Sequence, residues 1–196
     1  MKSDSMSKLF SSVLNSILKK NIRDKHTIKE VKKEYRMILD RAKDIGKNNM
    51  LASAYYLAAY FIAMCRHTGL SPEENLKILE EGIQNSRLTP LMLGNANQYL
   101  SEKKMITRRK WAEETQQRKY ENDWVVNFIE PYDQYAFGLD YHECGVCKLC
   151  RDEGCPELAR YLCKLDFMLV EVVGVHLDRT MVLAEGDPKC DFRFRK

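Results

Sequence analysis

Hydrophobic residues recur every three or four positions through the first part of the chain, which is the spacing of one face of an α-helix. The repeat is clear from Met6 onward. Two capping-box patterns, Thr27 to Glu30 and Ser71 to Glu74, mark helix starts within it. In the second pattern Pro72 takes the first helical position, where a missing amide is tolerated. Residues 1–120 are therefore predicted to form a helical region.

The longest apolar run extends from Met50 to Cys65 and is interrupted only by Ser53. A membrane-spanning helix needs about 20 such residues, so this shorter run predicts a buried helix instead. Thr89 and Pro90 predict a further helix start, and the polar stretch 101–119 is expected to extend or follow that helix.

From Trp124 onward the period of the pattern changes from 3.6 to 2, which is typical of β-strands. The predicted strands are residues 124–129, 135–142, 175–184 and 190–195, with an apolar helix over 156–174 between the two pairs. The fold class for residues 121–196 is therefore α+β: a four-stranded antiparallel sheet made of two hairpins, with helices packed on one face. The regions 1–120 and 121–196 are expected to form one integrated domain.

Composition narrows the class of function. The 196 residues carry a net charge of +4, with acidic and basic residues interspersed. A nucleic-acid-binding protein needs a clustered basic face, so nucleic acid is not an expected partner. Seven cysteines without an apolar leader segment indicate free or metal-bound thiols in a reducing cytoplasm. We expect a cytoplasmic protein that acts on a small molecule and not on membranes, with the oligomeric state open and a homodimer as one option.

Four cysteines lie close together in the chain: Cys144, Cys147, Cys150 and Cys155. Cysteine at this density indicates a metal site, disulfides or thiol chemistry. The spacing Cys-x2-Cys-x2-Cys-x4-Cys-Pro is one residue longer than the bacterial ferredoxin run, and four thiolates at such spacings also suit tetrahedral zinc. Zinc or an iron–sulfur cluster is therefore the alternative to a site that needs no cofactor.

Acidic and imidazole groups precede this cluster on the strand 135–142. Asp140 and His142 are expected on one face of the strand, and Cys144 joins them if the strand continues. A thiol and an imidazole about 7 Å apart along one face approach each other through rotamers. This arrangement predicts a nucleophile with a neighbouring base.

Two further cysteines and a carboxylate follow the cluster. Cys163 and Asp166 are an i, i+3 pair on the predicted helix, and a carboxylate among apolar neighbours needs a partner or a chemical role. Cys190 alternates with Phe192 and is expected to point into the core. These residues equally suit structural roles, because free cysteine is often buried and a buried aspartate commonly pairs with a cation.

Four runs in the C-terminal part carry a recognisable pattern: Gly154–Leu158, Leu162–Asp166, Leu183–Asp187 and Cys190–Phe194. Together they resemble the L-2-amino-thiazoline-4-carboxylic acid hydrolase family, whose pattern is matched at Cys144, Cys163, Asp166 and Cys190. The resemblance covers roughly residues 124–195. The end of the chain is also similar to 4-vinyl-reductase domains, which are small-ligand-binding modules.

The resemblance implies hydrolytic opening of a cyclic amidine to give a carbamoyl-cysteine. Such a reaction needs a nucleophile, a base and a proton donor, which we assign as hypotheses to Cys144, His142 and Asp166. Cys163 and Cys190 are further catalytic candidates, and Arg179, Asp191 and Glu157 are candidates for substrate binding, with Arg179 on the substrate carboxylate. A non-catalytic ligand-binding or sensor module is the third hypothesis.

Overall fold

The computed structural model describes residues 5–46, 50–86 and 94–196. Its first part is helical, as predicted, with α1 (Ser5–Asn21), α2 (Lys25–Arg41), α3 (Ala52–His67), α4 (Pro72–Gln84), α5 (Ala96–Tyr99) and α6 (Glu102–Thr115). The helix start predicted at Thr89 and Pro90 lies outside the described residues. The polar stretch 101–119 forms α6, which begins with Ser101 as its N-cap.

Two helix starts test the capping predictions. Ser71 caps α4 as predicted: its hydroxyl accepts from the Glu74 amide at 3.2 Å, and the Glu74 carboxylate accepts from the Ser71 amide at 2.8 Å. The start predicted at Thr27 is wrong, because Asp24 is the N-cap of α2 and accepts from the amides of His26 and Thr27. Thr27 therefore lies inside the first turn of α2.

The C-terminal part is an α+β unit. Its elements are β1 (Val125–Ile129), β2 (Phe137–Glu143), α7 (Gly145–Asp152), α8 (Ala159–Leu162), α9 (Leu165–Val172), β3 (His176–Asp178) and β4 (Cys190–Arg195), with 3-10 helices at Pro156–Leu158 and Leu183–Glu185. The strands form one antiparallel sheet in the order β1-β2-β4-β3. The hairpins β1–β2 and β3–β4 meet through the pairing of β2 with β4, which confirms the predicted sheet.

The third strand ends at Asp178 and not at residue 184 as predicted. A side chain takes the next backbone amides: Asp191 on β4 accepts from the amides of Thr180 and Met181 at 2.8 and 2.6 Å. The Thr180 hydroxyl donates to the same carboxylate at 2.6 Å. A longer β3 would use these two amides in hydrogen bonds to a neighbouring strand. Because Asp191 accepts from them instead, β3 ends at Asp178.

The prediction of a single helix over residues 156–174 is wrong. The segment forms a 3-10 helix, then α8, then α9. The break between α8 and α9 falls at Cys163, whose carbonyl oxygen accepts a hydrogen bond from the Arg179 guanidinium at 2.9 Å. A side chain that inserts into the helical ladder in this way interrupts it. As a result, Asp166 lies in the first turn of a new helix.

One hydrophobic cluster includes buried residues from both parts of the chain. Helix α3 is its most buried element, with every residue from Tyr55 to Met64 buried, as the apolar run predicted. The sheet contributes its inner face, on which Phe137 stacks against Phe194 with ring centroids 4.5 Å apart. In the described part of the chain, no helix has the length and apolar character required to cross a membrane.

Candidate active site

Cys144 lies between β2 and α7, and an irregularity in the sheet decides which way it faces. Val126 pairs with Tyr141, but Val125 pairs with Glu143, so β2 contains one extra residue. A bulge of this kind reverses the alternation of faces beyond it. Cys144 therefore falls on the side of the sheet that holds Tyr141, and its charge acts on the Tyr141 hydroxyl.

The expected grouping of Cys144 with His142 and Asp140 on one strand face does not hold, because the bulge lies between them. His142 is exposed, and its Nε2 lies 3.1 Å from the side-chain amide of Asn127. Asp140 is buried in ion pairs, one of them with Arg193 at 2.8 Å. The structure therefore places both groups on the other face of β2. The role of His142 as a base stays a prediction.

Both ends of α7 are held tightly. At Gly145, a Cβ atom would lie 2.6 Å from the carbonyl oxygen of Asn122, so only glycine fits this close approach. At the other end, Arg66 donates to the carboxylate of Glu153 at 2.9 Å and to its carbonyl oxygen at 2.7 Å. These contacts fix α7 in the fold and, with it, the position of Cys144, which is the N-cap residue of α7.

The pKa of the Cys144 thiol is lowered, and the largest cause is a hydrogen bond that the Cys147 thiol donates to it. Burial acts to raise this pKa, whereas the nearby amides of Val146 and Cys147 lower it further. Neither amide makes a full capping hydrogen bond, so they act through the partial positive charge of the first turn of α7. The pKa of Cys147 is raised by the same hydrogen bond and then by burial. Of this pair, Cys144 ionises first.

Asp166 is paired with Arg179. The Arg179 Nη1 donates to Asp166 Oδ2 at 2.7 Å, and Nη2 donates to the Cys163 carbonyl oxygen. Only 5% of the Arg179 side chain is exposed, and its guanidinium packs on the rings of Phe167 and Phe192, 4.8 and 5.0 Å from their centroids. Its buried Nε has no hydrogen-bond partner among the described residues. An unpaired buried donor at such a place suits a ligand atom.

Burial raises the pKa of Asp166 to about 6, although the charge of Arg179 and its hydrogen bond act to lower that pKa. The Asp166 side chain nevertheless keeps 35% of its surface accessible. The carboxyl group is therefore packed among protein atoms and is still reached by solvent. Asp166 is therefore both the partner of Arg179 and a group that exchanges protons near neutral pH.

Two other thiols near Cys144 are held in the protonated form. Burial raises the pKa of Cys163, and the negative charges of Asp166 and Cys144 raise it further. Burial also raises the pKa of Cys190 to about 11, although the Leu183 amide donates to its sulfur at 3.2 Å. Cys190 is buried, which confirms the prediction that it points into the core. Both residues line the site as neutral thiols.

The sequence reasoning missed three residues, Tyr99, Arg108 and Tyr141. Burial raises the pKa of both tyrosine hydroxyls, the charge of Asp166 raises both further, and the charge of Arg108 lowers both. The two hydroxyls therefore stay protonated, and they can act as hydrogen-bond donors. Tyr141 was overlooked because the chemistry was sought on the opposite face of β2.

Two predicted substrate ligands lie elsewhere. Glu157 is exposed, and its charge acts on Cys150 and Cys155. The carboxylate of Asp191 is occupied by the amides that end β3. Burial acts to raise the pKa of Asp191, but hydrogen bonds, of which that from Thr180 is the strongest, lower it overall. Substrate contacts by Glu157 and Asp191 stay predictions.

All seven cysteines are free thiols. Cys150 is fully buried and Cys155 is half-buried, and burial raises the pKa of both. Within the described ranges, no three His, Cys, Asp or Glu side chains are grouped in a way that would hold a metal ion. A metal site formed by Cys144, Cys147, Cys150 and Cys155 stays a prediction, which elemental analysis of the purified protein would test.

A groove of about 450 Å³ lies in another part of the molecule, between α1 and α4. The described residues that line it include Ile17, Lys20, Glu81 and Gly82, and none of them is a cysteine or histidine. The groups that carry chemistry lie instead around Cys144 and Asp166. We place the candidate active site at Cys144, because hydrolysis needs a nucleophile and a proton donor.

Comparison with known proteins agrees with the motifs. The chain matches the family model described as L-2-amino-thiazoline-4-carboxylic acid hydrolase over residues 47–194, a wider range than the 124–195 that the motifs indicated. The match includes α3 to α6, and hence Tyr99 and Arg108. A search of curated proteins found no match. The family is named for a hydrolase and its model spans most of the chain, so the protein belongs to the L-2-amino-thiazoline-4-carboxylic acid hydrolase family.

Proposed function

We propose that the protein is a hydrolase that opens a cyclic amidine, with 2-amino-thiazoline-4-carboxylate as the substrate to test first. The observation that carries the proposal is the place of Cys144 at the N-terminus of α7, where the amides of the first turn lie close to its thiol. The pKa of Cys144 is lowered, whereas the pKa of each of the other cysteines is raised. The charge of Asp166, whose own pKa is about 6, acts on Cys144. A thiolate and a carboxylic acid in one cleft form a nucleophile with a proton donor.

In the first step, the Cys144 thiolate attacks the ring carbon that lies between the nitrogen and the sulfur. The bond from this carbon to the ring sulfur then breaks, and the leaving sulfur takes the proton of Asp166. The product of this step is an isothiourea linked to Cys144, and Asp166 becomes a carboxylate beside Arg179.

In the second step, water attacks the same carbon. The Asp166 carboxylate takes a proton from the water, and the bond to the Cys144 sulfur breaks, so that the thiolate and the carboxylic acid are both restored. The sum of the two steps is the addition of one water molecule to the ring, which gives a carbamoyl-cysteine.

Other groups in the cleft have supporting roles in the proposal. Arg179 holds Asp166 in place through Nη1, and the thiols of Cys163 and Cys190 stay protonated and so do not compete with Cys144 as nucleophiles. The protonated hydroxyls of Tyr99 and Tyr141 donate hydrogen bonds to the amidine nitrogens. Such donors would stabilise the negative charge that develops on these nitrogens when the thiolate attacks.

The proposal predicts turnover. Purified protein incubated with 2-amino-thiazoline-4-carboxylate is expected to release carbamoyl-cysteine, measured by chromatography with mass detection. Prior treatment with iodoacetamide is expected to stop this release, because alkylation removes the Cys144 thiolate. Thiazolidine-4-carboxylate, which lacks the amidine, is the matched control compound and is expected to stay intact.

Two outcomes would contradict the proposal. Ligand-dependent stabilisation against heat without any turnover would favour the sensor module. Stoichiometric zinc or iron in protein purified without oxygen, together with unfolding when it is removed, would favour the metal site.

A further inference from the structure

Arg108 is a buried cation in the helical part of the chain. Only 7% of the residue is exposed, and its Nη1 donates to the Tyr99 carbonyl oxygen at 2.7 Å. Its guanidinium lies over two aromatic rings, 4.2 Å from the centroid of Tyr99 and 4.7 Å from that of Phe137. Aromatic faces and a backbone carbonyl stabilise such a group, but neither supplies a negative charge.

Among the described residues, no carboxylate forms an ion pair with Arg108. In the remaining ranges 1–4, 47–49 and 87–93, the sequence has a single acidic residue, Asp4. A guanidinium removed from water without a counter-charge carries a large desolvation cost. Arg108 is therefore a buried cation whose charge no carboxylate of the described residues balances.

The position of Arg108 connects it with the candidate active site. A row of aromatic rings joins Arg108 to Arg179: the Arg108 guanidinium lies over the ring of Tyr99, whose centroid is 5.9 Å from that of Phe194. The Phe194 ring is 6.1 Å from that of Phe192, on which the Arg179 guanidinium packs 5.0 Å from the centroid. An anion bound at Arg108 would extend from the helical part toward the reacting groups.

Arg179, the residue first expected to hold a substrate carboxylate, already has its own partners. Its Nη1 donates to Asp166 and its Nη2 to the Cys163 carbonyl oxygen, so both terminal nitrogens of its guanidinium are occupied. Bidentate binding of a second carboxylate would require breaking these bonds. Of these two buried arginines, Arg108 is the one that forms no ion pair with a carboxyl group of the described residues.

We propose that Arg108 binds the carboxylate of the substrate and is the residue that selects carboxylate-bearing cyclic amidines over neutral ones. The inference rests on the proposed function, because it concerns the same cleft. It gives the helical part of the chain a role in recognition: α6 holds the substrate by its carboxylate, and the α+β part supplies the thiolate and the acid. Binding of the carboxylate by Arg108 sets the distance from the substrate ring to the Cys144 thiolate.

The test compares two substrates in two variants. 2-Amino-thiazoline-4-carboxylate and the same ring without the carboxylate are assayed with the wild type, with Arg108→Gln and with Arg109→Gln. We expect Arg108→Gln to lower kcat/KM for the carboxylate by about 10- to 100-fold, mainly through KM, and to leave the neutral ring unaffected. Arg109→Gln is the matched control, because Arg109 is adjacent on α6 but pairs with Glu130 at the surface.

Equal losses for the two substrates, or no loss for either, would overturn the inference. If Arg108→Gln does not fold, Arg108→Lys keeps the positive charge without the planar guanidinium and is expected to retain part of the preference for the carboxylate substrate.

Calorimetric binding of both compounds separates this inference from the proposed function. Should the wild type bind the carboxylate form more tightly without hydrolysing it, and Arg108→Gln lose that preference, only the hydrolase proposal fails. Equal binding of the two compounds, or of neither, by the wild type would refute the role of Arg108.

Discussion

Cys144→Ser is expected to lower the turnover of 2-amino-thiazoline-4-carboxylate by about a thousandfold or more, because a serine hydroxyl is not ionised where a thiolate is. The free energy of unfolding should change by about 1 kcal/mol or less, since Cys144 is only half-buried and serine suits an N-cap. Steady-state kinetics and urea unfolding of the same preparations measure both quantities.

Cys155→Ser is the matched control for this prediction. Cys155 is also half-buried, but the raised pKa of its thiol makes it a poor nucleophile. We expect this variant to keep its activity. Full activity in Cys144→Ser would remove the nucleophile from the mechanism and leave direct attack by water.

Asp166→Asn is expected to cause the second large loss, again about a hundredfold or more in kcat, because the amide cannot give a proton to the leaving sulfur. The free energy of unfolding at pH 4 should change by about 1 kcal/mol or less. The reason is that asparagine resembles the neutral acid, which is the form that Asp166 takes in the folded protein at this pH because burial raises its pKa to about 6. Intact activity with a strongly destabilised fold would show that Asp166 is structural.

The raised pKa also predicts how stability depends on pH. The folded-state pKa of Asp166, about 6, lies above its ordinary value of 3.8, so the folded protein binds more protons than the unfolded chain between these values. The contribution of this group is fully present below pH 3.8 and is lost as the pH rises through 6. Relative to Asp166→Asn, the wild type should therefore lose stability between about pH 4 and 6. A constant difference across this range would contradict the raised pKa.

Much of the fold could be predicted from periodicity and capping. The apolar run around α3, the capping box at Ser71 and the alternation in β2 and β4 are local signals, and the structure follows them. The predicted end of β3 failed because Asp191, distant in the chain, takes the amides of residues 180 and 181. The single helix over 156–174 failed in the same way, since Arg179 binds the carbonyl of Cys163.

The candidate site was predicted in part. Family motifs in the sequence around Cys144 and Asp166 indicated these two residues. A one-residue bulge in β2 decides that Cys144 faces away from His142, and no local pattern reveals such a bulge. Arg108 and Tyr99 come from the helical part, which the motifs did not cover, and only the fold shows that Arg108 packs on the rings of Tyr99 and Phe137.

The central claim, that Cys144 is the thiol which ionises first, is tested most directly by the pH dependence of its alkylation. Native protein is treated briefly with iodoacetamide between pH 5.5 and 9.5, and each modified cysteine is identified by peptide mass spectrometry. We predict that Cys144 reacts first, with a midpoint below the value of about 8.5 for free cysteine, and that Cys147→Ala moves this midpoint upward. Alkylation of Cys144 no faster than that of Cys155, with a midpoint at or above about 8.5, would contradict the account.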